Sequence, residues 1–384
     1  MRRRLYEKDH EDFREVVREF VDREVVPHQA RWDAEHMVDR ETWLAAGRQG
    51  LLGIAVPEEY GGGGHRDIRY RSVVVEELAR VGAASLNSGF SVQDDIFLPY
   101  LLHLGSDEQK RRWLPGLVAG ELVGAIAMTE PGAGSDLQGV RTTAVREGDA
   151  WVLNGSKTFI TNGIASDLVI VVARTDPAAG SRGFSLLVVE RDMPGFRRGR
   201  KLEKMGLVAQ DTAELVFEDV RVPAANLLGE EGGGFGHLMD NLPVERITIA
   251  LQALYAARAV VAWTLDYTGE RTAFGKPIAA FQNTQFKLAD MVTELDLVQA
   301  YVDDCLHAFD EGELTAVEAA KAKLAATETQ KRVVDRCLQL FGGYGYMNEY
   351  PVSRAFVDAR VQTIYGGTSE IMRTIIARDL TGLR

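Results

Sequence analysis

Apolar residues recur at helical spacing in the first third of the chain. Phe13, Val16, Val17, Phe20 and Val21 share one face of a helix that turns every ~3.6 residues, and Pro27 follows the pattern as a stop. The run Gly61 to Gly64 predicts a loop. Val73 to Leu78 and Asp107 to Val118 predict further helices. Near residue 121 the period changes. Short apolar or alternating runs follow: Val123–Met128, Trp151–Leu153, Leu168–Ala173, Phe184–Val189 and Ala213–Phe217. Gly148-Asp149 and Asn154-Gly155 are read as turns between strands, so this stretch predicts a compact β barrel or sandwich. From about Phe235 long helical patterns return, over Ile247–Tyr267, Phe281–Phe309 and Thr315–Leu340. Short connections between them favour antiparallel packing in a bundle. The predicted fold class is α+β multidomain. It has a helical N-terminal domain (1–120), a central β domain (121–232) and a C-terminal helical bundle (233–384).

Composition narrows the function classes. With 384 residues, 46% of them hydrophobic, the chain can bury several cores. A net charge of −12 argues against nucleic-acid or anionic-membrane binding, which needs a basic face. It leaves room for a local basic pocket around an anionic cofactor. The two cysteines, Cys305 and Cys337, fall in helical patterns without CxxC spacing. They are expected as buried thiols in a reducing compartment, with no metal site. Met1 to Arg4 mimics the basic start of a signal peptide, but Glu7, Asp9, Glu11 and Asp12 stand where an apolar core would be. No stretch is read as long and apolar enough to cross a bilayer. The expected location is cytoplasmic.

Five segments carry candidate chemistry. Ala127 to Asp136 reads Ala-Met-Thr-Glu-Pro-Gly-Ala-Gly-Ser-Asp. Its glycines allow close approach of a ligand, its free N–H groups can cradle an anion, and Thr129 and Ser135 offer hydroxyls. Taken alone it is more often a plain turn. No GxGxxG opens a helix after a strand, so a Rossmann site is not indicated. Phe159 to Gly163 places an aromatic and a hydroxyl before a turn, suited to stacking on a flat cofactor or to ordinary strand-end packing. Arg271 to Lys276 is read as the end of a long helix, where its cations complement the helix terminus or hold a phosphate. Gly342 to Tyr346 reads as a helix C-cap, and Tyr365 to Ile371 as a glycine turn followed by Thr368 as an N-cap. One carboxylate is set apart. Glu245 lies between apolar residues in Leu-Pro-Val-Glu-Arg-Ile. It is either a solvated partner of Arg246 or Arg258, or a general base whose pKa an apolar pocket raises.

In their order and spacing these segments resemble the acyl-CoA dehydrogenase family over essentially the whole chain. The resemblance implies a helical N-terminal domain, a β domain and a C-terminal four-helix bundle. It also implies FAD. By the match, Ile126, Met128, Thr129, Gly134 and Ser135, with Phe159, Ile160 and Thr161, line the flavin ring, and Thr368 and Glu370 follow the FAD-binding turn. Arg271, Phe274 and Gln282, with Gln339, Leu340, Gly342 and Gly343 of a neighbouring subunit, match the diphosphate and adenosine contacts. A homotetramer is the implied assembly.

Many members carry the catalytic glutamate in a Tyr-Glu-Gly-Thr turn. Here that turn reads Tyr365-Gly366-Gly367-Thr368, and the base is absent from it. Long-chain and isovaleryl types place it on the first bundle helix before an arginine, which Glu245-Arg246 matches. The turn Gly366 to Met372, with Lys204-Met205-Gly206 and Ala209 to Glu214, is most similar to the long-chain type. The implied activity is desaturation of an acyl-CoA between Cα and Cβ, with Glu245 as base. Ser135 and Arg246 are the implied contacts of the CoA portion, and a backbone N–H at Gly366 the implied donor to the thioester oxygen. An electron-transfer flavoprotein is the implied acceptor. An acyl-CoA oxidase, a flavin monooxygenase and a non-catalytic helical scaffold are the rivals. Glu245 counts against the second, and retention of the cofactor segments counts against the third.

Overall fold

The computed structural model describes residues 3–383. Among them, seven α-helices come first: α1 (Lys8–Phe20), α2 (Gln29–Glu35), α3 (Arg40–Arg48), α4 (Ile68–Arg80), α5 (Ala84–Ser91), α6 (Leu98–Leu104) and α7 (Asp107–Val118). The apolar face of α1 is buried, and Val17, Phe20 and Val21 pack with Trp32, Trp43 and Phe90. Ser106 and Gln109 close a reciprocal cap at the start of α7, which is why that helix begins where its sequence predicts. A π-helical stretch, Val92–Phe97, joins α5 to α6. Such wide turns cluster at functional sites, and this one leads into α6, which carries Tyr100.

Eight strands follow: β1 (Gly124–Ala127), β2 (Thr143–Glu147), β3 (Ala150–Thr161), β4 (Leu168–Arg174), β5 (Phe184–Glu190), β6 (Phe196–Lys201), β7 (Thr212–Pro223) and β8 (Leu227–Leu228). The sheet order is β6-β7-β3-β2-β4-β5-β8, and β1 pairs in parallel with β4. Trp151, Leu153 and Phe217 fill its interior, while Val172, Phe184 and Val188 pack outward with Phe97, Trp113 and Leu117. Gly148-Asp149 is a turn as expected, since β2 pairs with β3 across it. Asn154-Gly155 is not a turn but lies inside β3 at a register shift. Gly155 has φ +151, and a Cβ there would stand 2.4 Å from the Thr142 hydroxyl. The glycine thus permits a close crossing within the sheet rather than a reversal.

The C-terminal helices are α8 (Gly234–Glu270), α9 (Gln282–Asp310), α10 (Ala316–Phe341), α11 (Pro351–Gln362) and α12 (Ser369–Thr381). They enclose one core that includes Ile247, Leu254, Met291, Leu306 and Val333. Two readings need correction. First, α8 is long and apolar enough to span a bilayer by length and composition, contrary to expectation, with a mean hydropathy of 1.3 over its most apolar window. That window is 72% buried inside the protein, so its apolar surface serves the bundle core. Second, Arg271–Lys276 does not belong to the helix. α8 ends at Glu270, and Thr272–Ala273 pairs with Lys276–Pro277 in a small hairpin with Phe274 at its tip. Cys305 and Cys337 are both free and buried, as expected.

Candidate functional site

Glu245 sits in the first third of α8, two residues after Pro243, and is 3% exposed. Neither cation that the solvated reading assigns to it is its hydrogen-bond partner. Arg258 is engaged by Gln299 and Asp296, and Arg246 turns to the Gly366 carbonyl at 3.5 Å. Among the described residues one group bonds the Glu245 carboxyl: the Tyr100 hydroxyl, at 3.2 Å from Oε1. Burial pushes the Glu245 pKa from 4.5 up to about 7, against the opposing pulls of the Tyr100 hydroxyl and the Arg246 charge. Burial also holds the Tyr100 phenol well above its usual range, so it keeps its proton and donates. A carboxyl poised near neutrality in a dry pocket suits a general base.

The Gly366–Gly367 turn is clamped by two buried cations. Arg246 reaches the Gly366 carbonyl, and Lys323 of α10 donates to the Gly367 carbonyl at 2.7 Å. The Lys323 side chain is fully buried, and burial pushes its pKa down to about 8, with Arg246 adding to the fall. Gly366 and Gly367 have φ +61 and +96, where a side chain is strained. A Cβ on Gly366 would stand 2.3 Å from Ile249 Cδ1. Ile249 is one turn beyond Glu245 on α8. The same helix face that supplies the carboxylate therefore fills the space that a side chain at 366 would need. Thr368 caps α12 by accepting from the Ile371 N–H at 3.3 Å, as predicted. Glu370 is exposed in the first turn.

A second group forms at the end of β1 and on β3. Phe159 has φ +59 and is 67% exposed. The β3–β7 register shifts between Lys157 and Ile160, so the bulge re-aims the ring outward. Beneath it, the Lys157 ammonium bonds the Met128 carbonyl at 3.0 Å and Glu130 at 2.9 Å. The Thr158 N–H bonds the Thr129 carbonyl at 2.9 Å. The hydroxyls of Thr129 and Thr161 make no hydrogen bond within the described residues, and Ile126, Met128, Thr129 and Thr161 are half-buried. Gly134 and Ser135 are exposed. Ile160 points into the sheet interior at 3% exposure, so only its backbone is open to a ligand.

A third group lies at one end of the bundle. The exposed Arg271 lies 5.5 Å over the Tyr344 ring and has no carboxylate partner among the described residues. Phe274 is 95% exposed at the hairpin tip. Gln282, Gln339, Gly342 and Gly343 are exposed, whereas the Leu340 side chain belongs to the bundle core. Among the described residues, no hydrogen bond or ring contact joins this group to Phe159 within one chain. An exposed ring on strained backbone beside two free hydroxyls fits a flat aromatic cofactor. An unpaired guanidinium beside glycines fits a phosphate. The donor set is therefore compatible with FAD. The sequence did not mark Tyr100, Lys323 or Ile249, whose roles arise only when distant elements pack together.

The chain matches three acyl-CoA dehydrogenase domains: the N-terminal domain over residues 7–121, the middle domain over 125–220 and the C-terminal domain over 232–381. It is 51% identical to the mitochondrial long-chain specific acyl-CoA dehydrogenase of Sus scrofa, over 98% of this chain and 88% of that one. It superposes on the acyl-CoA dehydrogenase of Geobacillus kaustophilus with a TM-score of 0.96 and 49% identity, covering 98% of this chain and 99% of that one. A glutaryl-CoA dehydrogenase of Mycobacterium smegmatis solved with FADH2 aligns at a TM-score of 0.92 and 33% identity, over 99% and 96%.

Proposed function

The chain belongs to the acyl-CoA dehydrogenase family, and we propose that it removes the α-proton of an acyl-CoA thioester with Glu245 while FAD takes up the β-hydrogen. The observation that carries this assignment is the buried Glu245 carboxyl, with a pKa raised to about 7 and a single hydroxyl donor. The thioester carbonyl acidifies the α-hydrogen, and Glu245 receives it as a proton. When bound, FAD accepts the β-hydrogen with its electron pair, leaving the trans-2-enoyl thioester. The Gly366–Gly367 turn, held by Arg246 and Lys323, presents a backbone N–H to the thioester oxygen. Phe159, Met128, Thr129 and Thr161 would flank the flavin ring, and Arg271 would meet its diphosphate. Ser135 meets the CoA portion.

The reading extends to a homotetramer, in which a neighbour's Gln339 to Gly343 completes the cofactor site, and to an electron-transfer flavoprotein as acceptor. Both extensions rest on the family resemblance. A cytoplasmic location rests on the sequence pattern alone. The test is direct. The purified protein should be yellow, with about one FAD per chain, and a saturated acyl-CoA should bleach it in a single turnover. A protein that binds no flavin under any reconstitution would end this reading.

A further inference from the structure

Glu245, Ile249, Gln252, Ala256 and Val260 follow one another at steps of three or four residues, so they form one stripe along α8. The last three of these line a cleft where α4, α5, α8, α10 and α11 meet. Tyr365, the residue before the clamped Gly366, also lines it. Glu245 and the cleft therefore lie along a single helix face. Its walls are partly small and apolar: Ala79, Gly82 and Ala256, with Trp263 against Gly82 at 3.2 Å from a Cβ placed there.

Three uncharged amides on the lining are buried. Asn87 and Gln330 are each 3% exposed and Gln252 is 6% exposed. The Asn87 amide nitrogen bonds the Val75 carbonyl at 3.3 Å, but Asn87 Oδ1 and Gln330 Oε1 have no partner among the described residues. Gln252 makes no hydrogen bond among the described residues. Each unsatisfied buried acceptor costs about 1–3 kcal/mol, so two on one cleft call for a donor. Charged groups there are already engaged. Arg354 pairs with Asp33 at 2.7 Å, and Asp358 accepts the Leu207 N–H. The cleft thus offers no free cation to a carboxylate, and its free acceptors suit a neutral O–H.

We propose that this cleft binds a hydroxyl carried on the distal part of the acyl chain, so that the enzyme prefers hydroxylated acyl-CoA thioesters over plain ones. The proposal rests on the dehydrogenase reading above. Gln252 lies seven residues beyond Glu245, about 10 Å along the helix. With C–C bonds of about 1.5 Å, an extended chain spans that distance in roughly eight carbons beyond Cα.

The experiment uses the flavin-loaded enzyme and acyl-CoAs of one chain length, either plain or with the hydroxyl moved stepwise along the distal half. Flavin reduction is followed under single-turnover conditions across substrate concentrations. One added hydrogen bond predicts a preference of roughly tenfold in kcat/KM for the best hydroxyl position over the plain chain. In Gln330→Met, and separately in Asn87→Leu, that ratio should fall towards one or invert. No hydroxyl position favoured in the wild-type enzyme overturns the proposal, because water alone then satisfies the acceptors. A preference that survives both substitutions also overturns it. If plain and hydroxylated thioesters alike leave the flavin oxidised, the dehydrogenase reading itself falls, and the proposal with it.

Discussion

Two glutamates in this molecule are almost equally buried, Glu245 at 3% and Glu130 at 8% exposure, yet their carboxyls are driven in opposite directions. Glu130 accepts from the Arg141 N–H at 2.7 Å, the Thr142 N–H at 2.9 Å, the Thr142 hydroxyl at 2.6 Å and the Lys157 ammonium at 2.9 Å. Those donors outweigh burial and hold its pKa below the usual 4.5. Among the described residues Glu245 accepts from Tyr100 alone, and burial prevails. Depth of burial and the donors that meet a carboxylate together decide what it does. A fully bonded carboxylate cements a fold. A nearly unbonded one remains free to take a proton.

The largest effect expected from this contrast is kinetic. Glu245→Gln keeps the shape but cannot accept the α-proton, so single-turnover flavin reduction should slow by roughly 10²–10⁴-fold. Flavin content should hold, because the residues assigned to FAD lie elsewhere. Wild-type reduction kinetics in this variant would remove Glu245 from the chemistry.

Breaking the other glutamate's shell should act on stability instead. Lys157→Met leaves a buried carboxylate without its cation, and removing one partner of such a pair costs about 3–5 kcal/mol. Denaturant unfolding of the holoenzyme should show that loss. The comparison also predicts that the Glu130 pKa rises in the variant, so acid should cost the variant less stability than it costs the wild type, and the gap between the two should narrow as the pH falls. Equal midpoints for variant and wild type would show that the donor shell around Glu130 carries little.

Much of this contrast could be read from the chain, and part could not. The helix–strand–helix order follows from a change in hydrophobic period, and α7 occupies the span that its pattern predicts. Glu245 stood out because apolar neighbours bracket a carboxylate on a helix. Its partner could not be found that way: Tyr100 lies 145 residues upstream, and a tyrosine in a helical pattern carries no mark of its contact. Lys323 was hidden for the same reason, since a lysine in an Ala-rich helix reads as solvated until the Gly367 carbonyl is packed against it. Asn154-Gly155 shows the converse error. The dipeptide has turn composition, but the register of β7 and the nearness of Thr142 make it a bulge. Local chemistry there yields to tertiary contact.

A smaller effect sharpens the account at Tyr100. Its hydroxyl favours the ionised form of Glu245. Tyr100→Phe should therefore raise the Glu245 pKa above about 7. Because the base works only when ionised, flavin reduction rises with pH through that value. The variant's profile should move to higher pH by about one unit, as expected for loss of one charge-assisted hydrogen bond. An unshifted profile would mean that the Tyr100 contact does not tune the base.

The most direct measurement is an infrared titration of the Glu245 carboxyl itself. Difference spectra between the wild-type holoenzyme and Glu245→Gln isolate its protonated carboxyl band. The account predicts that the band is present at pH 5 and is lost with a midpoint near the raised value of about 7. A midpoint at the ordinary value of 4.5, or a band already absent at pH 5, would contradict it: Glu245 would then be a solvated or fully bonded carboxylate like any other.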